Sequence, residues 1–224
     1  MIISHERRFI FLKTRKTAGS SIEQFLLDHL GPDDIVGNKR YGRNDHGRWN
    51  PLPEIRHRPL GPELRLTVSQ WRRGERYYQH MPAWRVRDRV GRDVWDSYFK
   101  FCFERDPWDK LVSFYWWRTR GMSDPPDFDN FVRTTPGLSA WPLYTIDDEV
   151  AVDFVGRYEH LERDLAHALD RVGIEAPVEL GRFKAGLRQG EPEFSPSLDI
   201  YVADLFRHEI DRFGYTDRTL PTLS

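Results

Sequence analysis

Two stretches of this chain gather the side chains that bind oxyanions. Lys13 to Ser21 reads KTRKTAGSS, and Arg105 to Ser113 reads RDPWDKLVS. In the first, the cations Lys13, Arg15 and Lys16 stand beside the hydroxyls of Thr17, Ser20 and Ser21, with Ala18 and Gly19 between them. That mixture suits a phosphate or sulfate better than a carboxylate, because a tetrahedral oxyanion accepts hydrogen bonds from several directions at once. In the second, a guanidinium and a hydroxyl could grip one phosphate together, the first by paired hydrogen bonds and the second by one. The Walker A arrangement is absent, since Gly19 follows the lysine instead of preceding it. His80, in YYQHMPAW, is a third candidate: an imidazole placed just before a helix, where it can cap, pack or accept a proton.

The surrounding pattern says what positions these groups. Phe9 to Leu12 is a short apolar run that ends at the basic turn, so it reads as a buried strand. Ser20 and Ser21 are good N-cap types, and Ile22, Phe25, Leu26 and Leu30 recur at helical spacing, so a helix starts in or just after the corner at residues 19–21. Such a corner aims backbone N–H groups and the positive end of a helix dipole at one spot. A second strand is expected over 98–103, with Arg105 at its carboxyl end and Pro107 opening a helix that carries Ser113. Pro82 opens another helix, marked by Ala83, Val86 and Val90. A third strand over 151–159 leads into a helix with Leu161, Leu165, Ala168, Leu169 and Val172, ending at Gly173. One last helix is expected over 198–213. Strands alternating with helices, with binding groups at strand ends, predict an α/β fold whose central sheet is mostly parallel and flanked by helices.

At 224 residues the chain fits a single domain over 1–224. Residues 31–75 hold turn signals and little periodicity, which reads as a variable, substrate-facing insertion. His46, Trp49 and His57 within it read as polar loop surface with an anchoring Trp, because no metal-ligand spacing appears. The charge is uneven. Residues 1–95 hold 19 Lys+Arg against 11 Asp+Glu, and the remainder 15 against 24, for a net −1. A basic half suits a polyanionic ligand, but no nucleic-acid-binding signature accompanies it. One cysteine, Cys102, excludes an intrachain disulfide and points to a reducing compartment. No apolar run is long enough for a bilayer and no signal-peptide pattern is seen, so a cytoplasmic location is expected.

TRKTAGSS resembles the 5′-phosphosulfate loop, commonly PKTAGTS, of sulfotransferases that use 3′-phosphoadenosine 5′-phosphosulfate (PAPS), with Arg15 standing where many members have Pro. RDPWDKLVS resembles the same family's 3′-phosphate motif, complete in type and spacing. Gly156, Arg157, Glu159, Leu161 and Asp164 are similar to a further family pattern, VGRxExLxxD, of mainly architectural use.

The resemblance implies bacterial relatives of the carbohydrate sulfotransferases, on a P-loop-like sulfotransferase architecture. It implies PAPS as sulfuryl donor, 3′-phosphoadenosine 5′-phosphate (PAP) as product, no metal, and a small-molecule or glycan acceptor with a free hydroxyl. On this footing Arg15, Lys16, Thr17, Ala18, Gly19, Ser20 and Ser21 would hold the 5′ side of the donor, and Arg105 and Ser113 its 3′-phosphate. Lys184 and Arg188, in a late basic loop, would close over the 3′ end. His80 would act as base and Lys16 would stabilise the leaving oxygen. A nucleotide kinase on a related scaffold and a non-catalytic nucleotide-binding module are the alternatives.

Overall fold

The computed structural model describes residues 1–37, 68–69, 76–180, 188–216 and 218–219. His46, Trp49, His57 and Lys184 lie outside the described residues.

Among the described residues, five strands form the central sheet. These are β1 (Ile2–Ser4), β2 (Phe9–Phe11), β3 (Ile35–Val36), β4 (Phe99–Glu104) and, after the small hairpin β5 (Thr145–Ile146) and β6 (Glu149–Val150), β7 (Phe154–Arg157), in the order β3-β1-β2-β4-β7. β2 pairs parallel with β4 and β4 parallel with β7, whereas β1 runs antiparallel to both β2 and β3. The sheet is therefore mixed. It is parallel where the turns after β2 and β4 begin and antiparallel at its N-terminal edge, whose short strands carry too little periodicity to be read in advance. Ile35 and Val36, expected in the insertion, belong to that edge. Buried Asp34 fixes their approach by accepting from the Ser4 hydroxyl and from the backbone N–H groups of His5, Glu6 and Gly31.

Alternation along the strands builds both sides of the core. Phe9, Phe11, Phe101 and Phe103 face Ile22 and Leu26 of α1 (Gly19–Leu27). Ile10, Leu12 and Cys102 face the opposite layer, where Val86 of α2 (Ala83–Val90) and Trp95 of α3 (Arg92–Ser97) pack. A third cluster surrounds Trp108 of α4 (Pro107–Thr119), which is fully buried and donates its indole N–H to Asp199 at 2.7 Å. It takes in α5 (Phe128–Thr134) and, beyond α6 (Trp141–Tyr144) and α7 (Leu161–Arg171), the pair α8 (Pro196–Leu205) and α9 (Arg207–Phe213). The one helix expected over 198–213 is thus two, broken at Phe206, whose ring is fully buried against the Trp108 cluster.

Local chemistry explains the helix starts. Asp106 caps α4 by accepting from the Asp109 N–H, with Pro107 at the first position. Ser195 caps α8 in the same way, ahead of Pro196. α1 is different. It is preceded by Ala18 in the left-handed region (φ 57°), no described side chain caps it, and Ser20 and Ser21 sit inside its first turn instead of ahead of it.

Candidate active site

β2 and β4 are parallel neighbours, so the turns that leave their carboxyl ends lie side by side. The first turn is tightly wound. Lys16 (φ 63°) and Ala18 (φ 57°) are both left-handed without being glycine, and so is His80 (φ 54°), whose ring contacts the same turn. Non-glycine residues in this region cost about 1 kcal/mol or more each and tend to gather where function needs them. Gly19 is required for a different reason. A Cβ there would come within 2.8 Å of Lys13 Cγ, because the Lys13 side chain passes directly beneath the start of α1.

Lys13 takes that path to reach buried Glu23, at 2.7 Å. The Met1 amine approaches the other oxygen of the same carboxylate at 3.4 Å. The sequence reading gives Lys13 to the anion site as a further cation, but its charge is spent inside the core. Thr17 is likewise buried, its hydroxyl 2.8 Å from that of Thr14, which in turn donates to the Phe103 carbonyl on β4. These contacts lock the turn to the neighbouring strand. Ser20 and Ser21 remain half-buried in the first turn of α1. Arg15 reaches sideways, donating to the Gly137 carbonyl at 2.5 Å and bracing the turn from outside. Gly137 is left-handed (φ 67°), and a Cβ on it would lie 2.6 Å from the Arg15 guanidinium. Lys16 lies 5.2 Å from the ring centroid of Trp117 on α4, within range of a cation–π contact.

Arg105 is fixed from three directions. Nη1 donates to the Lys16 carbonyl at 3.0 Å, Nε donates to Asp109 Oδ2 at 2.6 Å, and the guanidinium stacks 3.9 Å from the Tyr158 ring centroid. Its backbone N–H donates to Glu104, a fully buried carboxylate paired with Lys110 and pushed up in pKa by burial. Ser113 lies on α4 one turn beyond Asp109, half-buried. Arg188 arrives from the far end of the chain and donates to Asp109 Oδ1 at 2.8 Å. Arg105, Asp109, Arg188 and the Lys16 carbonyl are thereby brought together, with Ser113 one helical turn from Asp109.

Strand β7 and the start of α7 brace this corner. Glu159, between them, accepts from the Asp106 N–H at 2.7 Å, and Asp164 accepts from the Arg157 N–H at 2.7 Å. This is the architectural use expected of that stretch.

His80 stands just ahead of α2, with Pro82 between, and its Nδ1 lies 2.9 Å from the Lys13 carbonyl. A carbonyl can only accept, so Nδ1 carries the proton and the neutral ring presents Nε2 as the acceptor. Burial disfavours the imidazolium, and nearby Lys13, the Met1 amine and Arg15 add repulsion. Together they outweigh the pull of the carbonyl and lower the pKa to about 4.

Three residues near these groups escaped sequence reasoning: Asp109, Tyr158 and Trp117. Asp109 and Trp117 lie one helical turn on either side of Ser113, a spacing that could have drawn them into the candidate set. Tyr158 carries no such signal, because its contact with Arg105 depends on β7 lying next to β4.

The two adjacent turns leave the carboxyl ends of β2 and β4, interior strands of the mixed sheet, and comparison with known proteins gives the family that carries them. The chain belongs to the sulfotransferase family, whose model matches residues 1–216. It is also 42% identical over 106 residues to an uncharacterized protein of Archaeoglobus fulgidus, a match covering 45% of this chain and 87% of that protein. No solved structure matches. Among the described residues, no helix is long and apolar enough to cross a membrane.

Proposed function

We propose that this chain transfers the sulfuryl group of PAPS to a hydroxyl of a carbohydrate, lipid or secondary metabolite, as one domain on a P-loop-like scaffold. The observation that carries the reading is the contact between the two corners: Arg105 donates to the carbonyl of Lys16 at 3.0 Å, so groups suited to opposite ends of one doubly phosphorylated nucleotide share a single site. The donor fits the residues present. The turn after β2 runs straight into the N-terminus of α1, so the positive end of that helix's dipole lies at the same corner as Lys16 and favours an anion there. Arg105 is held edge-on by Asp109 and has N–H donors beyond those its contacts consume.

Gly19, Ser20 and Ser21 would bind the 5′-phosphate through N–H and hydroxyl groups, with Ala18 and Thr17 shaping the turn and Arg15 bracing it. Arg105, Ser113 and Arg188 would bind the 3′-phosphate. When bound, the donor supplies an activated sulfuryl group on a phosphate leaving group. Sulfuryl transfer, like phosphoryl transfer, leaves the protein chiefly to position groups and stabilise charge. His80 Nε2 would take the acceptor's hydroxyl proton as that oxygen bonds to sulfur, and the Lys16 ammonium would stabilise the bridging oxygen as its bond to sulfur breaks. Cys102, a buried free thiol, fits a reducing compartment such as the cytoplasm.

Calorimetry with PAP against ATP tests the nucleotide. Tight PAP binding with weak ATP binding is expected, and the reverse order would favour a kinase. Transfer of label from sulfur-labelled PAPS to extract components tests turnover, and PAP binding without any labelled product would leave a binding module.

A further inference from the structure

Asp109 holds two guanidinium groups at once. Its Oδ2 lies 2.6 Å from both Nε and Nη2 of Arg105, and its Oδ1 lies 2.8 Å from Nη1 of Arg188. These arginines come from distant parts of the chain, one from the turn after β4 and the other from the segment ahead of α8. Two like charges do not settle together unless something offsets their repulsion, and here a single carboxylate lies between them. The segment carrying Arg188 is anchored a second time, where Trp116 on α4 donates its indole N–H to the Gly190 carbonyl at 2.9 Å. Asp109 is itself fixed at the start of α4, its backbone N–H donating to the Asp106 side chain at 2.9 Å.

We infer that Asp109 is a positioning residue for the nucleotide's 3′-phosphate, aligning Arg105 and Arg188 so that both guanidinium groups address one phosphate. This rests on the nucleotide reading proposed above. A guanidinium offers five N–H donors in a fixed planar fork, so holding one edge orients the others. Asp109 holds such an edge of Arg105, and the Lys16 carbonyl and the Tyr158 ring fix the remaining freedom of that group. The Arg188 guanidinium is held by two carboxylates, those of Asp109 and Glu191. Glu191 is exposed and only three residues away on the same segment, so it ties Arg188 to its own stretch of backbone, whereas Asp109 ties it directly to α4. The alignment of Arg188 therefore depends on Asp109 more than that of Arg105 does. Asp109 does not touch the reacting atoms, and its effect is on which nucleotide the site prefers.

The test compares PAP with adenosine 5′-phosphate, which lacks the 3′-phosphate, by calorimetry on the full chain and on Asp109→Asn, Asp109→Glu, Arg188→Ala and the Asp109→Asn/Arg188→Ala double variant. Wild type should prefer PAP. Asp109→Asn should lose about tenfold in PAP affinity while adenosine 5′-phosphate changes less than about twofold, the double variant should lose less than the two single losses combined, and Asp109→Glu should recover part of the loss. A purely structural role would lower the melting temperature and weaken both nucleotides alike, and that result overturns the inference. Tighter PAP binding by Asp109→Asn also overturns it, because Asp109 would then be competing with the phosphate. If Asp109→Asn does not fold, Asp109→Glu against Arg188→Ala carries the same comparison. A wild type with no preference for PAP removes the nucleotide reading itself, whereas preference in wild type with an unchanged ratio in Asp109→Asn removes the positioning role alone.

Discussion

The side chain of Arg105 donates a hydrogen bond to the main-chain carbonyl of Lys16 at 3.0 Å. This contact joins the turn after β2 to the turn after β4, so a change at Arg105 acts on both. Arg105→Lys keeps the charge but loses the planar fork that reaches Asp109 and Lys16 together. We expect PAP affinity to drop about tenfold or more in this variant, measured by calorimetry, with the melting temperature lowered only slightly. Unchanged affinity would mean that charge alone suffices and that the fork's geometry is irrelevant.

Lys16→Ala should separate binding from chemistry. An ammonium that stabilises charge developed only in the transition state contributes to turnover and little to ground-state affinity. The expected result is a loss of about 10²–10³-fold in kcat with PAP affinity changed only a few-fold. Equal losses in both would assign Lys16 to donor binding instead.

Trp117 is expected to act on turnover through Lys16, whose ammonium lies 5.2 Å from its ring centroid. Removing a contact of about 0.5–1 kcal/mol by Trp117→Ala should lower kcat about two- to fivefold, and the same substitution in a Lys16→Ala background should have almost no further effect. Additive losses in the double variant would show that Trp117 works independently of Lys16.

His80 carries two pH consequences with one sign. Its pKa is about 4 in the folded chain and near 6.5 when exposed, so the unfolded state takes up a proton first as pH falls. Stability from this residue is complete above about pH 6.5 and is lost as the pH approaches 4, a span worth up to ~3 kcal/mol. Urea denaturation from pH 7 to pH 4 should therefore show a slope that His80→Gln flattens. In kinetics, the acid limb of kcat/KM should lie near pH 4 instead of 6.5, and His80→Gln should lower kcat by about 10²–10⁴-fold while PAP binding is kept. Full turnover by that variant would place the base elsewhere.

Gly19→Ala tests the packing under the turn after β2. Its new methyl group would meet Lys13 Cγ at 2.8 Å and push the ammonium away from Glu23. A destabilisation of about 1–3 kcal/mol is expected, read from the denaturation midpoint. A neutral result would mean that Lys13 can repack without leaving its partner.

Sequence alone determined the parts of this protein whose causes are local. The apolar run ending at Leu12 and the run ending before Arg105 each had to form a strand that stops at a polar corner, and Pro107 had to open a helix there. His80 ahead of the Pro82 turn was legible for the same reason. Tertiary structure decided where each charge went. Lys13 and Lys16 look equivalent in sequence, yet Lys13 ends at buried Glu23 and Lys16 beside Trp117, because α1 folds back over one side chain and α4 presents a ring to the other. The meeting of Arg105, Arg188 and Asp109, and the stacking of Tyr158 on Arg105, likewise depend on which strands are neighbours. The antiparallel edge formed by β1 and β3 was hidden too, since two- and three-residue strands are defined by their partners and not by any period of their own. Short-range sterics and capping are encoded residue by residue, but the pairing of a buried charge depends on whatever the fold brings within a few ångströms of it.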